Sequence, residues 1–162
     1  MRKDQIPYKD INTIFLDAGN TLLAMDFVWI KEELENLGIK CEIEELKRAE
    51  ASARPILSSE LEKLKSTEDR KTSIFYMGSI LKNLPAAHTM NRKDRDEIIN
   101  ALVVKLQAPG RLQRFWANLI PGVREGLEIL KNRGFQMVVV SNSNGMIEEI
   151  LSNLEIRGFF SH

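Results

Sequence analysis

Two short apolar runs constrain this chain most. Thr13-Ile-Phe-Leu-Asp17 mixes β-branched and aromatic residues and ends on a carboxylate, directly before the small-residue turn Ala18-Gly19-Asn20. Gln136-Met-Val-Val-Val-Ser141 ends in the same way, on a hydroxyl before Asn142-Ser143-Asn144-Gly145. Apolar runs of this length bounded by turn residues read as buried strands. An isolated carboxylate in mid-core is strongly penalised unless it is paired or meets a metal. Asp17 therefore belongs at the open carboxyl end of its strand, the edge where open α/β sheets bind ligands. Ser141 occupies the same position on the second strand, and in a parallel sheet the two ends share one edge.

The second strand is led by Pro121-Gly-Val-Arg-Glu-Gly-Leu-Glu-Ile-Leu-Lys-Asn-Arg-Gly134, a predicted helix with Pro near its start and Gly just past its end. It is followed by a predicted helix from Met146 to Leu154 with Ile147, Ile150, Leu151 and Leu154 on one face. Glu155-Ile-Arg-Gly-Phe-Phe-Ser-His162 then reads as the beginning of a third strand. Between the first two strands, Phe27 to Leu37, Ile43 to Leu64, Lys71 to Leu84 and Arg92 to Leu106 carry apolar residues three and four apart among many charges, the amphipathic helix pattern. Pro55 is expected to kink or divide the second of these. Gly38, the Ser66-Thr67 stretch and Pro85 mark the connections. The layout predicts an α/β core formed by residues 1–23 and 116–162, with a helical bundle, residues 24–115, inserted into it.

A length of 162 residues allows one ordinary domain or a small core with an inserted subdomain. Lys+Arg and Asp+Glu both number 23, so nothing in the charge balance favours nucleic acid or an anionic membrane as partner. Any anion must be held locally. A single cysteine, Cys41, excludes an intrachain disulfide framework and fits a reducing compartment. No apolar stretch approaches the roughly 20 residues that span a bilayer, and the polar start lacks a signal-type apolar core. The expectation is a cytoplasmic protein.

An Asp at a strand end can act as a nucleophile on phosphorus or carbon and split a hard displacement into two easier steps. To approach a phosphate it needs its charge neutralised. A magnesium ion bound by the Asp17 carboxylate and a nearby backbone carbonyl would do this, keeping water and phosphate in its other positions. Ser141 and the amides of the turn from Asn142 to Gly145 are placed to hold phosphate oxygens, and Thr21 to orient the first loop. Each motif alone is also an ordinary strand-ending turn, and Ser and Asn are common caps. Their order, with a helical insert between, makes the combination specific. Cys41 reads as an inert small residue, His88 as a solvated loop residue, and Trp29, Trp116, Phe75 and Tyr76 as packing residues. The charges from Lys31 to Glu50 read as a solvated helix face.

The two motifs, Phe15-Leu-Asp17-Ala-Gly-Asn-Thr21-Leu-Leu and Val138-Val-Val-Ser141-Asn142, together with the lead-in Pro121-Gly-Val-Arg-Glu-Gly-Leu, resemble the haloacid dehalogenase-like superfamily of hydrolases over essentially the whole chain. The resemblance implies a Rossmann-like core with a helical cap and Mg²⁺-dependent hydrolysis of a small phosphorylated substrate through an aspartyl-phosphate. By that resemblance Asp17 matches the nucleophile, the Gly19 carbonyl the backbone metal ligand, and Ser141 the phosphate-binding hydroxyl. Two departures stand out. The phosphatase members usually carry a second Asp where this chain has Gly19, and loss of such a general acid/base typically costs about 10²- to 10⁴-fold in rate. Branches that cleave carbon–halogen or carbon–phosphorus bonds lack an acid there too.

Family members also continue past the third strand to a lysine and an acidic motif that complete the site, and neither Lys131, Arg133 nor Arg157 matches that lysine. The resemblance then implies a first strand with an open edge at Ile14 and Leu16. Such an edge invites pairing with another chain, so the expectation is a fragment of a longer product or self-association through the edge. Two further readings stand beside the phosphatase: a non-catalytic binding or regulatory protein on the same scaffold, and a hydrolase of halogenated acids.

Overall fold

The computed structural model describes residues 8–61, 70–108, 111–141 and 145–161. In chain order the elements are β1 (Thr13–Asp17), β2 (Leu23–Ala24), α1 (Phe27–Asn36), α2 (Ile43–Leu61), α3 (Arg70–Asn83), α4 (Arg92–Leu106), α5 (Leu112–Phe115), β3 (Asn118–Leu119), α6 (Val123–Asn132), β4 (Gln136–Val140) and α7 (Ile147–Asn153), with short 3₁₀ turns at Tyr8–Asp10, Pro85–Ala87 and Arg157–Phe159. Contacts divide the described residues into two compact units. One holds the chain up to Ala24, Trp116–Ser141 and the stretch from Gly145 onward, and the other holds Met25–Phe115.

The first unit is mixed α/β. Its sheet is the parallel pair β1 and β4, in register from Thr13↔Gln136 through Phe15↔Val138 to Asp17↔Val140. Side chains alternate across a strand, so Ile14 and Leu16 share a face with Met137 and Val139, while Phe15 and Asp17 share the other with Val138 and Val140. The first face is the core side. Leu16, Met137 and Val139 pack there with Leu127 of α6, Ile150 and Leu151 of α7, and Ile156. On the opposite face Phe15 is 69 % exposed and Val140 55 %. The apolar residues expected to be bare, Ile14 and Leu16, are instead half-buried, because the strand's alternation turns them inward and turns Phe15 out. A second, antiparallel pair of two residues each, β2 and β3, joins Leu23 to Leu119 and Ala24 to Asn118.

The expected third strand does not form where the sequence placed it. Arg157–Phe159 is a 3₁₀ turn, after which Phe160 is extended and the Ser161 amide donates to the Met137 carbonyl at 3.0 Å. The Arg157 side chain accounts for the difference. The guanidinium donates to the Phe160 carbonyl at 2.8 Å and to Glu148 at 3.0 Å, which closes the chain into a turn before it reaches β4.

The second unit is a helical bundle in which α2 packs on α3 and α3 on α4. Its interior is aliphatic, with Leu34, Ala53, Leu81, Leu84, Leu102 and Val103 fully buried. A buried Leu contributes about 1.5–3 kcal/mol through removal of its surface from water. Helix starts are fixed locally. Asp26 accepts from the Trp29 amide at 2.9 Å to cap α1, and Asn91 accepts from Asp94 at 2.9 Å to cap α4. Gly78 brings α3 close to α4: a Cβ there would lie 3.2 Å from Ile99 Cδ1. Pro55 neither divides nor ends α2, which runs through it from Ile43 to Leu61. The missing i→i−4 hydrogen bond falls at Ala51, an exposed position, where the carbonyl is open to solvent.

The charged run from Lys31 to Glu50 is not simply a solvated face. Glu50 is completely buried, accepting from Arg54 Nε and Nη2 at 2.8 and 2.7 Å and from the Tyr76 hydroxyl at 2.5 Å. Glu33 is 8 % exposed and receives Lys105 at 2.7 Å, Arg111 at 3.1 Å and Trp29 Nε1 at 3.3 Å. Both acids are buried because partners from distant sequence positions reach them, which helical periodicity does not register. No described helix is long and apolar enough to cross a membrane.

Candidate functional site

At the carboxyl end of β1 the chain turns sharply. The Ala18 carbonyl accepts from the amides of Thr21, Leu22 and Leu23 at 3.3, 2.9 and 2.9 Å, and Asn20, with φ 58°, returns its amide to the Leu23 carbonyl at 2.8 Å. Asn tolerates this left-handed conformation better than most residues. Ala18 points into the core at 2 % exposure, and the alternation leaves Asp17 exposed. The Thr21 hydroxyl lies 3.5 Å from Asp17 Oδ2, at the limit of a hydrogen bond, and donates toward it. Across the sheet Asp17 is level with Val140, so Ser141 follows one residue beyond, at the same end of the parallel pair. Neighbouring strands lie about 5 Å apart. Asp17, Gly19 and Thr21 thus belong to one strand end and its turn, and Ser141 follows the matching end of β4, while Asn142 lies outside the described residues.

The donors available to a cation here are oxygen atoms. The parallel bridge Gly19↔Leu23 uses the Ala18 carbonyl and the Asn20 amide, so the Gly19 carbonyl is not consumed by it. One carboxylate and one carbonyl suit magnesium, which is commonly held by one or two protein oxygens and keeps waters and substrate phosphate oxygens. Among the described residues no group of three or more His, Cys, Asp or Glu could hold a metal.

Trp116 is the feature of this site that the sequence did not reveal. The edge of its indole lies 3.5–3.8 Å from where a Gly19 Cβ would stand. Gly19 does not have a positive φ, so neither its backbone nor contact at Cβ demands glycine. A side chain at position 19 would meet an aromatic wall. In the sequence Trp116 looks like a packing residue, and no periodicity links it to Gly19. Two of the cations near the end of the chain are engaged elsewhere. Lys131 Nζ sits 5.3 Å from the centre of the Phe159 ring and Arg157 pairs with Glu148.

The helical unit has its own cavity of about 190 Å³, lined by Trp29, Glu32, Glu33, Asn36, Arg111 and Arg114. Its cations already face acids: Arg111 pairs with Glu33, and Arg114 pairs with Asp26 at 3.2 Å while lying over the Trp29 ring at 5.2 Å. The hydrogen bond from Lys105 holds the Glu33 carboxyl below its usual range. Burial opposes this, while the charge of Lys105, the Trp29 indole and Arg111 assist it. A carboxyl whose folded pKa is depressed adds stability that is complete above its unfolded value, near 4.5, and is lost as pH falls through the folded value. Melting temperature should therefore fall on acidification below that point, and Glu33→Gln should show a shallower acid limb. Equal slopes in the two proteins would remove Glu33 from the account. Elsewhere in this unit, Cys41 is buried, which raises its thiol pKa, and His88 is exposed. Neither forms part of a site.

Comparison with known proteins bears on the fold. A hydrolase from Streptococcus pneumoniae TIGR4 superposes with a TM-score of 0.53 at 20 % identity, covering 93 % of this chain and 64 % of that one. A protein described as a predicted phosphoglycolate phosphatase from Haemophilus somnus gives 0.51 at 16 % identity, with 93 % and 60 % covered. The HAD-hydrolase YfnB of Bacillus subtilis, in a magnesium-bound form, gives 0.51 at 16 % identity, with 93 % and 63 % covered. At these identities the likeness is one of fold, and the chain spans less than two thirds of the length of each. None of the curated proteins compared with the sequence matches it. The model of the haloacid dehalogenase-like hydrolases matches residues 11–162, nearly the whole chain, and the protein belongs to that family.

Proposed function

We propose that the protein is a magnesium-dependent phosphatase-type hydrolase in which Asp17 attacks the phosphorus of a small phosphorylated substrate. The observation that supports this reading is the register of β1 and β4, in which the exposed Asp17 is level with Val140, one residue before Ser141, at one end of the parallel pair. Thr21 steadies the Asp17 carboxylate, so that the other oxygen is free to attack. Ser141 Oγ then donates to a non-bridging phosphate oxygen, favouring the charge that shifts onto the phosphoryl group. Magnesium, when bound by the Asp17 carboxylate and the Gly19 carbonyl, supplies neutralisation of the approaching phosphate. The Haemophilus neighbour is described as a phosphatase and the Bacillus neighbour as magnesium-bound, which lends support to both parts of the reading.

The test is hydrolysis of 4-nitrophenyl phosphate by the full chain. Release of nitrophenolate is expected with Mg²⁺, to be lost with EDTA and restored by excess Mg²⁺. Turnover unaffected by EDTA would contradict the metal assignment. A second reading is favoured by Gly19: displacement at a carbon–halogen bond releases halide, which needs no proton. Halide release from a 2-haloacid without Mg²⁺, and no phosphate release, would select it.

A further inference from the structure

We propose that the cavity in the helical unit binds a small organic dicarboxylate, gripped by the guanidinium groups of Arg111 and Arg114. The site is built within that unit alone and is independent of the phosphatase reading. Trp29, Glu32, Glu33 and Asn36 stand at i, i+3, i+4 and i+7 of α1 and form one stripe of its surface. Arg111 and Arg114, three residues apart, line the same cavity. Its volume, about 190 Å³, is below the roughly 300–1,000 Å³ of drug-sized sites, so the occupant is small.

The donors and acceptors of the wall decide which ion it suits. Glu33, 8 % exposed, has its oxygens taken: Oε1 accepts from Trp29 Nε1 and Arg111 Nη1, and Oε2 accepts from Lys105 Nζ. Satisfied in this way, it fixes Arg111 in place and offers little to a cationic ligand. The guanidiniums are in the opposite state. Each carries five N–H donors, of which the described hydrogen bonds use one in Arg111, to Glu33, and one in Arg114, from Nε to Asp26 Oδ2 at 3.2 Å. Both side chains are about half exposed, so donors remain for a ligand entering from solvent. The Trp29 ring, 5.2 Å from the Arg114 guanidinium, orients that fork. Planar forks of this kind pair with a carboxylate through two parallel bonds, and two forks suit two carboxylates. Glu32 is the acid that a ligand must displace. Its side chain is 59 % exposed and lies 4.0 Å from Arg114 Nη2, beyond hydrogen-bond reach, and an exposed pair of this kind holds weakly.

The test is calorimetric titration of the full chain, without Mg²⁺ and at fixed ionic strength, with malonate, succinate and glutarate as probes of increasing length. Saturable binding of one ion per chain is expected for at least one of them, while malonamide, of malonate's shape without its charge, should not bind. Binding should shift the Trp29 emission, and the shift should persist in Trp116→Phe, which removes the chain's other tryptophan. Arg114→Gln should weaken binding about ten- to a hundredfold, the size of a lost hydrogen bond to a charged group. Glu32→Gln should instead tighten it, by up to about fivefold, because the competing charge is gone. The Glu32 side chain is exposed, so this variant reads the site even where replacement of an arginine unfolds the helical unit. No saturable binding of any of the three probes, an equal response to malonamide, no change in Trp29 emission, unchanged affinity in a folded Arg114→Gln or weaker binding in Glu32→Gln would overturn the proposal. So would tighter binding of inorganic phosphate than of every dicarboxylate.

Discussion

Asparagine in place of Asp17 is expected to abolish phosphoryl transfer and to leave the fold intact. The carboxamide has nearly the same shape but neither the charge nor the nucleophilic oxygen. Removing the nucleophile of a covalent mechanism commonly lowers turnover by about 10³-fold or more. Stability should stay within about 0.5 kcal/mol, as for other exposed positions. Asp17 is exposed, and its described side-chain contact is the 3.5 Å approach of Thr21. The turn that follows is closed by backbone bonds to Ala18, not by the Asp17 side chain. Steady-state hydrolysis of 4-nitrophenyl phosphate and thermal melts of both proteins check the two halves. Retained turnover would mean that another group attacks, and a large loss of stability would mean that Asp17 holds the turn.

The second large effect is expected in the helical unit, at Glu50. This carboxylate is wholly buried, yet Arg54, which pairs with it, has 47 % of its side chain exposed. Arg54→Leu strands a buried charge. Breaking a buried pair from one side typically costs about 3–5 kcal/mol, and the bond from Tyr76, which stays, puts the expected loss at the lower end of that range. Glu50→Leu acts differently, releasing Arg54 to solvent but leaving the buried Tyr76 hydroxyl without Glu50, at about 1–3 kcal/mol. Combining Glu50→Leu with Tyr76→Phe should recover most of that loss, because an apolar contact between α2 and α3 replaces a polar one and both ends of the lost bond are gone. Urea unfolding of the set checks the prediction. A double variant less stable than Glu50→Leu alone would show that the hydroxyl is better satisfied without Glu50 than the account allows.

Much of this architecture was legible in the sequence where a period repeats. The four amphipathic stretches became α1 to α4 with their described ends within a residue or so of expectation, because apolar residues three and four apart over several turns leave little choice of structure; the expected end of the second at Leu64 lies outside the described residues. β1 and β4 were legible because β-branched runs stop at small polar turns. The two-residue pair of β2 and β3 was not, since two residues cannot display an alternation. Position 157 to 159 was misread for the same reason: a short apolar stretch carries no period, and the turn there is made by the bonds of Arg157. Glu33 and Glu50 were misread because burial of an acid depends on partners far away in sequence, Lys105 and Arg111 for one and Tyr76 for the other.

The candidate site divides along the same line. The positions of Asp17 and Ser141 at the ends of β1 and β4 were legible because an apolar run fixes where its strand stops; their roles are proposals. Gly19 was legible as an absence, the missing proton donor. What fills the space beside it was not, since the approach of Trp116 to Gly19 depends on how the chain re-enters the core after the helical unit.

The central claim is that Asp17 is the nucleophile, and the most direct measurement is the location of a trapped phosphoryl group. The full chain, incubated with acetyl phosphate and Mg²⁺, quenched in acid and digested, should yield one modified peptide containing Asp17. Its phosphoryl group should be removed by hydroxylamine, as an acyl phosphate is, and it should not form with Asp17→Asn. A phosphoryl group that resists hydroxylamine or maps to Ser141 or Thr21, or no modified peptide from any donor, would contradict the account.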